Sequence, residues 1–231
     1  MATKPRRAPR RTEALSRDVI VKAAIEILDA EGEDALTLRA LTVRLTTGYG
    51  AIYHHVADRG DLLAAATDDV VARLLADLVA DAEPRQAPRA LALGLFDAIV
   101  AHPWVGAQLN REPWRPALLD IYERVSEQLQ ALGVPDRALS DSASVLVSYI
   151  LGVAGQNAAN ARALAASKMD RSAFLATVAA RWSRLDPVKY PSVYKARTHL
   201  REHNDRQQFL VGVDVILAGI ETVNRAGARP A

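Results

Sequence analysis

The 231-residue sequence contains no cysteine, so it holds no disulfide, no thiolate metal site and no cysteine nucleophile. Aromatic residues are scarce, with three Phe and three Trp. No stretch alternates apolar and polar residues in the two-residue rhythm of a strand. The most apolar segment, residues 143–154, is shorter than a bilayer-spanning helix needs and runs into Gln156, Asn157 and Asn160. Where a secretory leader would need an apolar run after its basic start, this chain has Thr12, Glu13, Ser16, Arg17 and Asp18. The expectation is a soluble, cytoplasmic, all-α protein.

What is present favours helix: half of the residues are hydrophobic, with Ala and Leu dominant, and 24% are charged. The formal net charge of +2 is unevenly placed. Residues 1–60 carry ten Lys and Arg against eight Asp and Glu, whereas residues 61–231 carry nineteen of each. Lys4, Arg6, Arg7, Arg10 and Arg11 form a basic arm, residues 1–11, with no acid before Glu13. Such an arm either neutralises nucleic-acid phosphates, with Arg10 and Arg11 nearest the first helix, or serves as a solubilising tail.

Local signals place the helices. Ser16 caps a helix whose apolar residues Val19, Ile20, Ala23, Ala24, Ile27 and Leu28 recur at helical spacing, and Gly32 stops it. Thr37 caps a short second helix with Leu38, Leu41 and Leu45 inward and Arg39 outward. A third short helix is expected from Gly48 to about His55, with Ile52 inward and Tyr49, Ala51 and His54 outward. Two short helices joined by a tight turn form a helix-turn-helix. A fourth helix starts near Asp58 or Asp61 and runs to about Asp81, where Glu83-Pro84-Arg85-Gln86-Ala87-Pro88 breaks it. Beyond it, helices are expected near 89–101, 104–109, 115–132, 137–166, 171–183 and 205–225. The organisation read from this is an arm (1–11), a DNA-binding head (12–60) and a helical body (61–231).

A helix that enters a major groove needs small or hydrogen-bonding residues in its first turn and phosphate-binding groups around it. Tyr49, Gly50 and Ala51 fit the first role, Tyr49 with a hydroxyl and Ala51 with a methyl suited to thymine. Thr37, Arg39, Thr47, Gly48, Tyr53, His54 and Arg59 complete the candidate DNA face.

The stretch from Leu36-Thr37-Leu38-Arg39 through Leu45-Thr46-Thr47-Gly48-Tyr49-Gly50-Ala51-Ile52-Tyr53-His54-His55-Val56 to Arg59-Gly60-Asp61-Leu62-Leu63 resembles the TetR family of repressors. Residues 12–63 align on that pattern without gaps, and the Tyr-His-His-Val run is most similar to the tetracycline-repressor-like subgroup. The run from Arg206 to Ile220 resembles that subgroup's last helix. The resemblance implies a ligand-responsive transcriptional regulator, a repressor released from operator DNA by a small inducer. It also implies a homodimer built on the helices near 137–166 and 205–225, an inducer pocket in the middle body, no enzymatic activity and no cofactor. One departure stands out: the turn carries Thr46 and Thr47 where the family has Gly and an apolar residue, so a β-branched side chain occupies a position that favours positive φ.

Within the body, His102, Trp104, Gln108, Asn110, Trp114, Tyr122, Gln156 and Asn157 place polar and aromatic groups around proline-broken helices. A ligand cavity uses such a mixture, and ordinary core packing uses it too. Val145, Tyr149, Gly152, Phe209, Val213, Ile216 and Ile220 form stripes suited to a second subunit or to the chain's own core. A rival reading starts from His199-Leu200-Arg201-Glu202-His203, which on an α-helix puts two imidazoles four residues apart, and makes the chain a helical metal-binding or metal-dependent hydrolytic protein using His199, Glu202 and His203.

Overall fold

A computed structural model of the chain describes residues 15–78, 83, 86–167 and 169–227. The expected arm, with Arg10 and Arg11, lies outside the described residues. Among the described residues every regular element is helical, and the chain separates into two compact units with the boundary between Ala66 and Thr67.

The first unit contains α1 (Arg17–Glu31), a 3-10 turn (Glu33–Ala35), α2 (Leu38–Leu45), α3 (Tyr49–Tyr53) and the opening of α4 (Arg59–Asp77). Ser16 starts α1 by accepting a hydrogen bond from the Val19 amide at 3.3 Å. Gly32 ends it at φ +82° while its own amide reaches back to the Leu28 carbonyl at 3.0 Å. Ile20, Ala24, Leu36, Leu41, Ile52 and Leu62 are sealed from solvent and form the core. Each of the larger side chains contributes roughly 1.5–3 kcal/mol by that burial.

The second unit is built around α8 (Asp136–Ser167), which packs against α5 (Ala87–Ala101), α6 (Pro103–Leu109), α7 (Pro116–Ala131) and α11 (Asp205–Gly227). α8 is long and apolar enough to cross a bilayer by length and composition, unlike the shorter segment read from the sequence. Its Ala143, Leu146, Val147, Ile150, Ala154 and Ala158 are instead buried against these neighbours, which makes it the spine of the body. Pro103 and Pro116 open their helices at the first position, where the missing N–H costs nothing. The Asp68 carboxylate on α4 accepts from the Ala117 amide at 3.1 Å and so caps α7 from a neighbouring helix.

Glycine allows close approaches in the body, two of them on α6 and α11. A Cβ on Gly106 would sit 3.0 Å from the Ile99 side chain, where α6 crosses α8 near Gly155. On α11, a Cβ at Gly212 would lie 1.9 Å from the Tyr149 hydroxyl. The Tyr149 ring fills that notch, stacks on Phe209 with centroids 5.6 Å apart, and donates to the Phe209 carbonyl at 3.2 Å. Phe209 stacks in turn on Phe96 at 4.5 Å. Burial pushes the Tyr149 phenol above its ordinary pKa. Phe209 and Val213 are thus completely buried within one chain, which corrects their assignment to a subunit interface: they have no surface left to offer.

The sequence did not announce α10 (Pro191–Ala196). Neither it nor α9 (Arg171–Trp182) has a fully buried residue, so the usual apolar signal is weak there. The third helix is also shorter than expected, five residues from Tyr49 to Tyr53.

The Gly212 notch makes a sign-reversing prediction. Gly212→Ala should destabilise the protein by about 1–3 kcal/mol through overpacking against Tyr149. In a Tyr149→Ala background the same change should stabilise it by up to about 1 kcal/mol through helix propensity. Urea denaturation of the four proteins completes the cycle.

Candidate nucleic-acid interface

The candidate reading surface is α3. Ile52 is its anchor, fully buried against the head core, and the opposite side looks outward, with Tyr49 51% and Tyr53 54% exposed. Gly50 and His54 are exposed beside them, and Thr47 and Ala51 are half-buried. Space in front of Gly48 and Gly50 is open: a Cβ at either would meet nothing within 4 Å. At the N-cap of α2, the Thr37 hydroxyl oxygen accepts from the Ala40 amide at 3.1 Å, which leaves its O–H free to donate. Arg39 is exposed and makes no ion pair among the described residues.

The turn between α2 and α3 holds the strain that its composition forecasts. Thr46 sits in the left-handed region at φ +49°, ψ +50°, a conformation that costs an L-residue roughly 1–2 kcal/mol. Its neighbour compensates locally, the Thr47 amide donating to the Thr42 carbonyl at 3.1 Å.

The far end of α3 is held by residues that sequence reasoning missed. Arg17, at the start of α1, donates to the His55 carbonyl at 2.7 Å and pairs with the Asp61 carboxylate at 2.9 Å. Asp61 also accepts from the Ala57 amide at 3.0 Å, and the Asp61 amide donates to Asp58 at 2.8 Å. This reciprocal cap resembles a capping box and is legible as Asp58-x-x-Asp61. The arginine partner, 44 residues away, carries no sequence signal. The hydrogen bonds from Arg17 and Ala57 hold the Asp61 carboxyl below its ordinary pKa. Arg59, expected on phosphate, instead donates to the Leu36 carbonyl at 3.1 Å and the Glu33 carbonyl at 2.5 Å, tying the start of α4 to the turn before α2.

In the body the expected ligand residues disperse. Trp104 and Gln108 are buried, whereas Trp114 is 70% exposed and Gln156 and Asn110 lie at the surface. His102 stands edge-on to Trp104 at 6.1 Å, and Tyr122 is half-buried. Gln108 accepts from Arg111 at 3.4 Å, while its amide nitrogen is buried without a partner. Of the eight, only Asn157 lines the cavity between α5, α8, α9 and the start of α11. On the candidate interface stripe, Val145 and Gly152 are exposed, Ile216 and Ile220 are half-exposed, and Tyr149 is committed to Phe209. Two further outward apolar groups on α11 are Val215 and Val223, 67% and 71% exposed.

The metal reading fails on geometry. Leu200–Glu202 is a 3-10 turn, His203 is extended, and its Nε2 meets Asp205 at 3.1 Å, so His199 and His203 do not share an α-helical face. Among the described residues no group of three or more His, Cys, Asp or Glu side chains can hold a metal.

Two substitutions test the head. Asp61→Ala should cost about 1 kcal/mol of local stability at neutral pH. Because the folded carboxyl titrates below its ordinary value of 3.8, the wild-type advantage is full above that value and fades as the pH falls through the lowered one. Thr46→Gly should gain up to about 1 kcal/mol by relieving the left-handed strain. Hydrogen exchange of the α2–α4 amides reads both, with faster exchange in the first variant and slower in the second.

Comparison with known proteins gives these arrangements a lineage. The family described as "Tetracyclin repressor-like, C-terminal domain" matches residues 83–224. A TetR transcriptional regulator of Streptomyces coelicolor, SCO7222, superposes with a TM-score of 0.82 at 46% identity, covering 91% of this chain and 100% of that one. The transcriptional repressor DrrR1 of Streptomyces coeruleorubidus is 32% identical over 155 residues, 65% of this chain and 56% of its own length. BioQ, solved with its double-stranded DNA operator, matches 64% of this chain and 89% of its own at 27% identity and a TM-score of 0.55. The chain thus spans between about half and two thirds of the curated repressor and regulator sequences it first matches. With an all-α architecture and a family match across most of the body, the chain belongs to the TetR family of transcriptional regulators.

Proposed function

We propose that the protein is a homodimeric transcriptional repressor that leaves its operator when a small molecule binds the body. The observation that carries the proposal is the outward face of α3, where Tyr49, Gly50, Ala51, Tyr53 and His54 surround open space while Ile52 and the Arg17–Asp61 clamp fix the helix from behind. Thr37, Arg39, Thr47 and Gly48 flank that face and bind phosphate or base edges, and the basic arm adds nonspecific affinity. The similarity to an operator-bound BioQ and to a named repressor, DrrR1, supports the same reading.

Dimerisation is supported by the paired apolar surfaces of α8 and α11. Val145, Val211, Val215 and Val223 are each more than half exposed in the single chain, and the exposed Gly152 and Gly219 allow close helix approach. A two-fold dimer presents two copies of α3 to successive major grooves, about 10 bp apart or a multiple of that, on a near-palindromic site. Such a protein works in the cytoplasm, where its DNA lies. It performs no catalysis and needs no cofactor in this reading. Residues 12–60 serve as the DNA-binding domain and 61–231 as the ligand-binding and dimerisation domain.

Fluorescence anisotropy with DNA from upstream of its own gene, against unrelated DNA at two salt concentrations, tests the proposal. Sequence-selective binding is expected, and equal binding to both DNAs and to every sequence in a random library would overturn it. Tyr49→Ala should weaken specific binding by about tenfold and spare nonspecific binding. Deleting residues 1–11 should flatten the salt dependence by roughly 0.9 logarithmic units for each phosphate that the arm no longer neutralises.

A further inference from the structure

One cavity in the body has no role so far. It lies between α5, the second half of α8, the start of α9 and the start of α11, with a volume of ≈ 460 Å³, inside the range of roughly 300–1,000 Å³ that holds drug-sized ligands. Its apolar wall is Phe96, Val100 and Ala161. Phe96 is also the first ring of the Phe96–Phe209–Tyr149 stack, so that wall is backed by stacked aromatic rings.

The charged rim cancels itself. Arg206 grips Asp97 with two hydrogen bonds, 3.1 and 2.9 Å. Arg171 bonds Asp205 at 2.6 Å and the His203 carbonyl at 3.0 Å, and His203 Nε2 faces the other Asp205 oxygen at 3.1 Å. Two guanidinium groups and two carboxylates leave no net charge to attract an ion. An anionic ligand would have to take an arginine from its aspartate and then sit beside the freed carboxylate, which repels it, and a cation meets the mirror-image penalty. Two amide side chains line the wall: Asn204, exposed, already accepts from the Gln207 amide at 3.0 Å, whereas Asn157 is half-buried and makes no hydrogen bond to any described residue. It offers two donors and an acceptor.

We propose that this cavity binds a neutral, mainly apolar small molecule that places a hydrogen-bonding group on Asn157, and that this molecule is the effector. The second clause rests on the regulator reading above; the first does not. An occupant here also touches the bonds that join the start of α9 to the start of α11, because Arg171 makes both of them.

The test uses full-length protein and two related dyes, neutral N-phenylnaphthylamine and its anionic counterpart anilinonaphthalene sulfonate, each followed by fluorescence on titration. Wild type should bind the neutral dye about tenfold more tightly than the sulfonate. Ala161→Trp, which fills the cavity, should lower neutral-dye affinity by about tenfold, while Ala131→Trp at the exposed end of α7 should leave it unchanged. Asp97→Asn frees Arg206 and should raise sulfonate affinity by about fivefold. Unchanged melting temperatures establish that the variants fold. Equal affinity for the two dyes, indifference to Ala161→Trp, an equal loss from Ala131→Trp, or no gain in Asp97→Asn would each overturn the site. Operator binding measured with and without neutral dye separates the two readings: a protein that never selects DNA sinks the regulator while the dye results stand, and DNA binding insensitive to bound dye sinks the effector clause.

Discussion

A helix of five residues does not hold together by itself in water, because the cost of nucleating the first turn is not recovered over so short a length. Everything this head can do with DNA therefore depends on what fixes α3 from outside. Ile52 provides the hydrophobic part, buried completely in the first unit's core. Arg17 and Asp61 provide the polar part, joining the residues that follow α3 to the first turn of α1 and the cap of α4. The arrangement keeps the outward side chains of α3 free of structural duty. Among the described residues, the side chains of Tyr49, Tyr53 and His54 make no hydrogen bond, so their chemistry is available to a partner.

The body solves the opposite problem. Its spine, α8, spans 32 residues and takes neighbours on several sides. Small residues decide where neighbours come close: Gly106 against the α8 backbone near Gly155, and Gly212 against the Tyr149 ring. The same two helices, α8 and α11, each carry two apolar faces. On α11 Phe209 and Val213 turn into the chain's own core, while Val211, Val215 and Val223 turn outward. One helix thereby contributes to the core and keeps a hydrophobic surface in reserve.

Features encoded by neighbouring residues were legible in the sequence. Ser16, Gly32 and Thr37 mark helix ends through bonds spanning three or four residues, and all three perform as capping chemistry requires. The left-handed Thr46 was legible as a departure from a known pattern. What escaped were facts set by partners far away along the chain. Nothing near Arg17 or Arg59 says that one clamps Asp61 and His55 and the other two backbone carbonyls. The α11 stripe was visible, but which of its sides faces the core depends on the Phe96 and Tyr149 rings, 113 and 60 positions away by number from Phe209. The His199–His203 spacing carried a metal reading only under the assumption of an α-helix, and a 3-10 turn removes it.

The charge distribution limits how ligand and DNA binding can communicate. The net charge of +2 comes entirely from residues 1–60, and the remaining 171 residues are balanced. The cavity beside Asn157 is balanced on a smaller scale, each arginine on its rim already matched by an aspartate. A neutral molecule entering it changes no charge, so it leaves the long-range attraction between head and DNA as it was. In the proposed regulator, coupling then passes through structure: a ligand shifts the equilibrium only by the difference in its affinity for the DNA-competent and DNA-incompetent conformations. For a regulator of this design, salt and effector act on separate parts of the binding free energy. In the proposed dimer, salt weakens specific and nonspecific complexes alike, whereas the proposed effector removes only what depends on placing both reading helices at once.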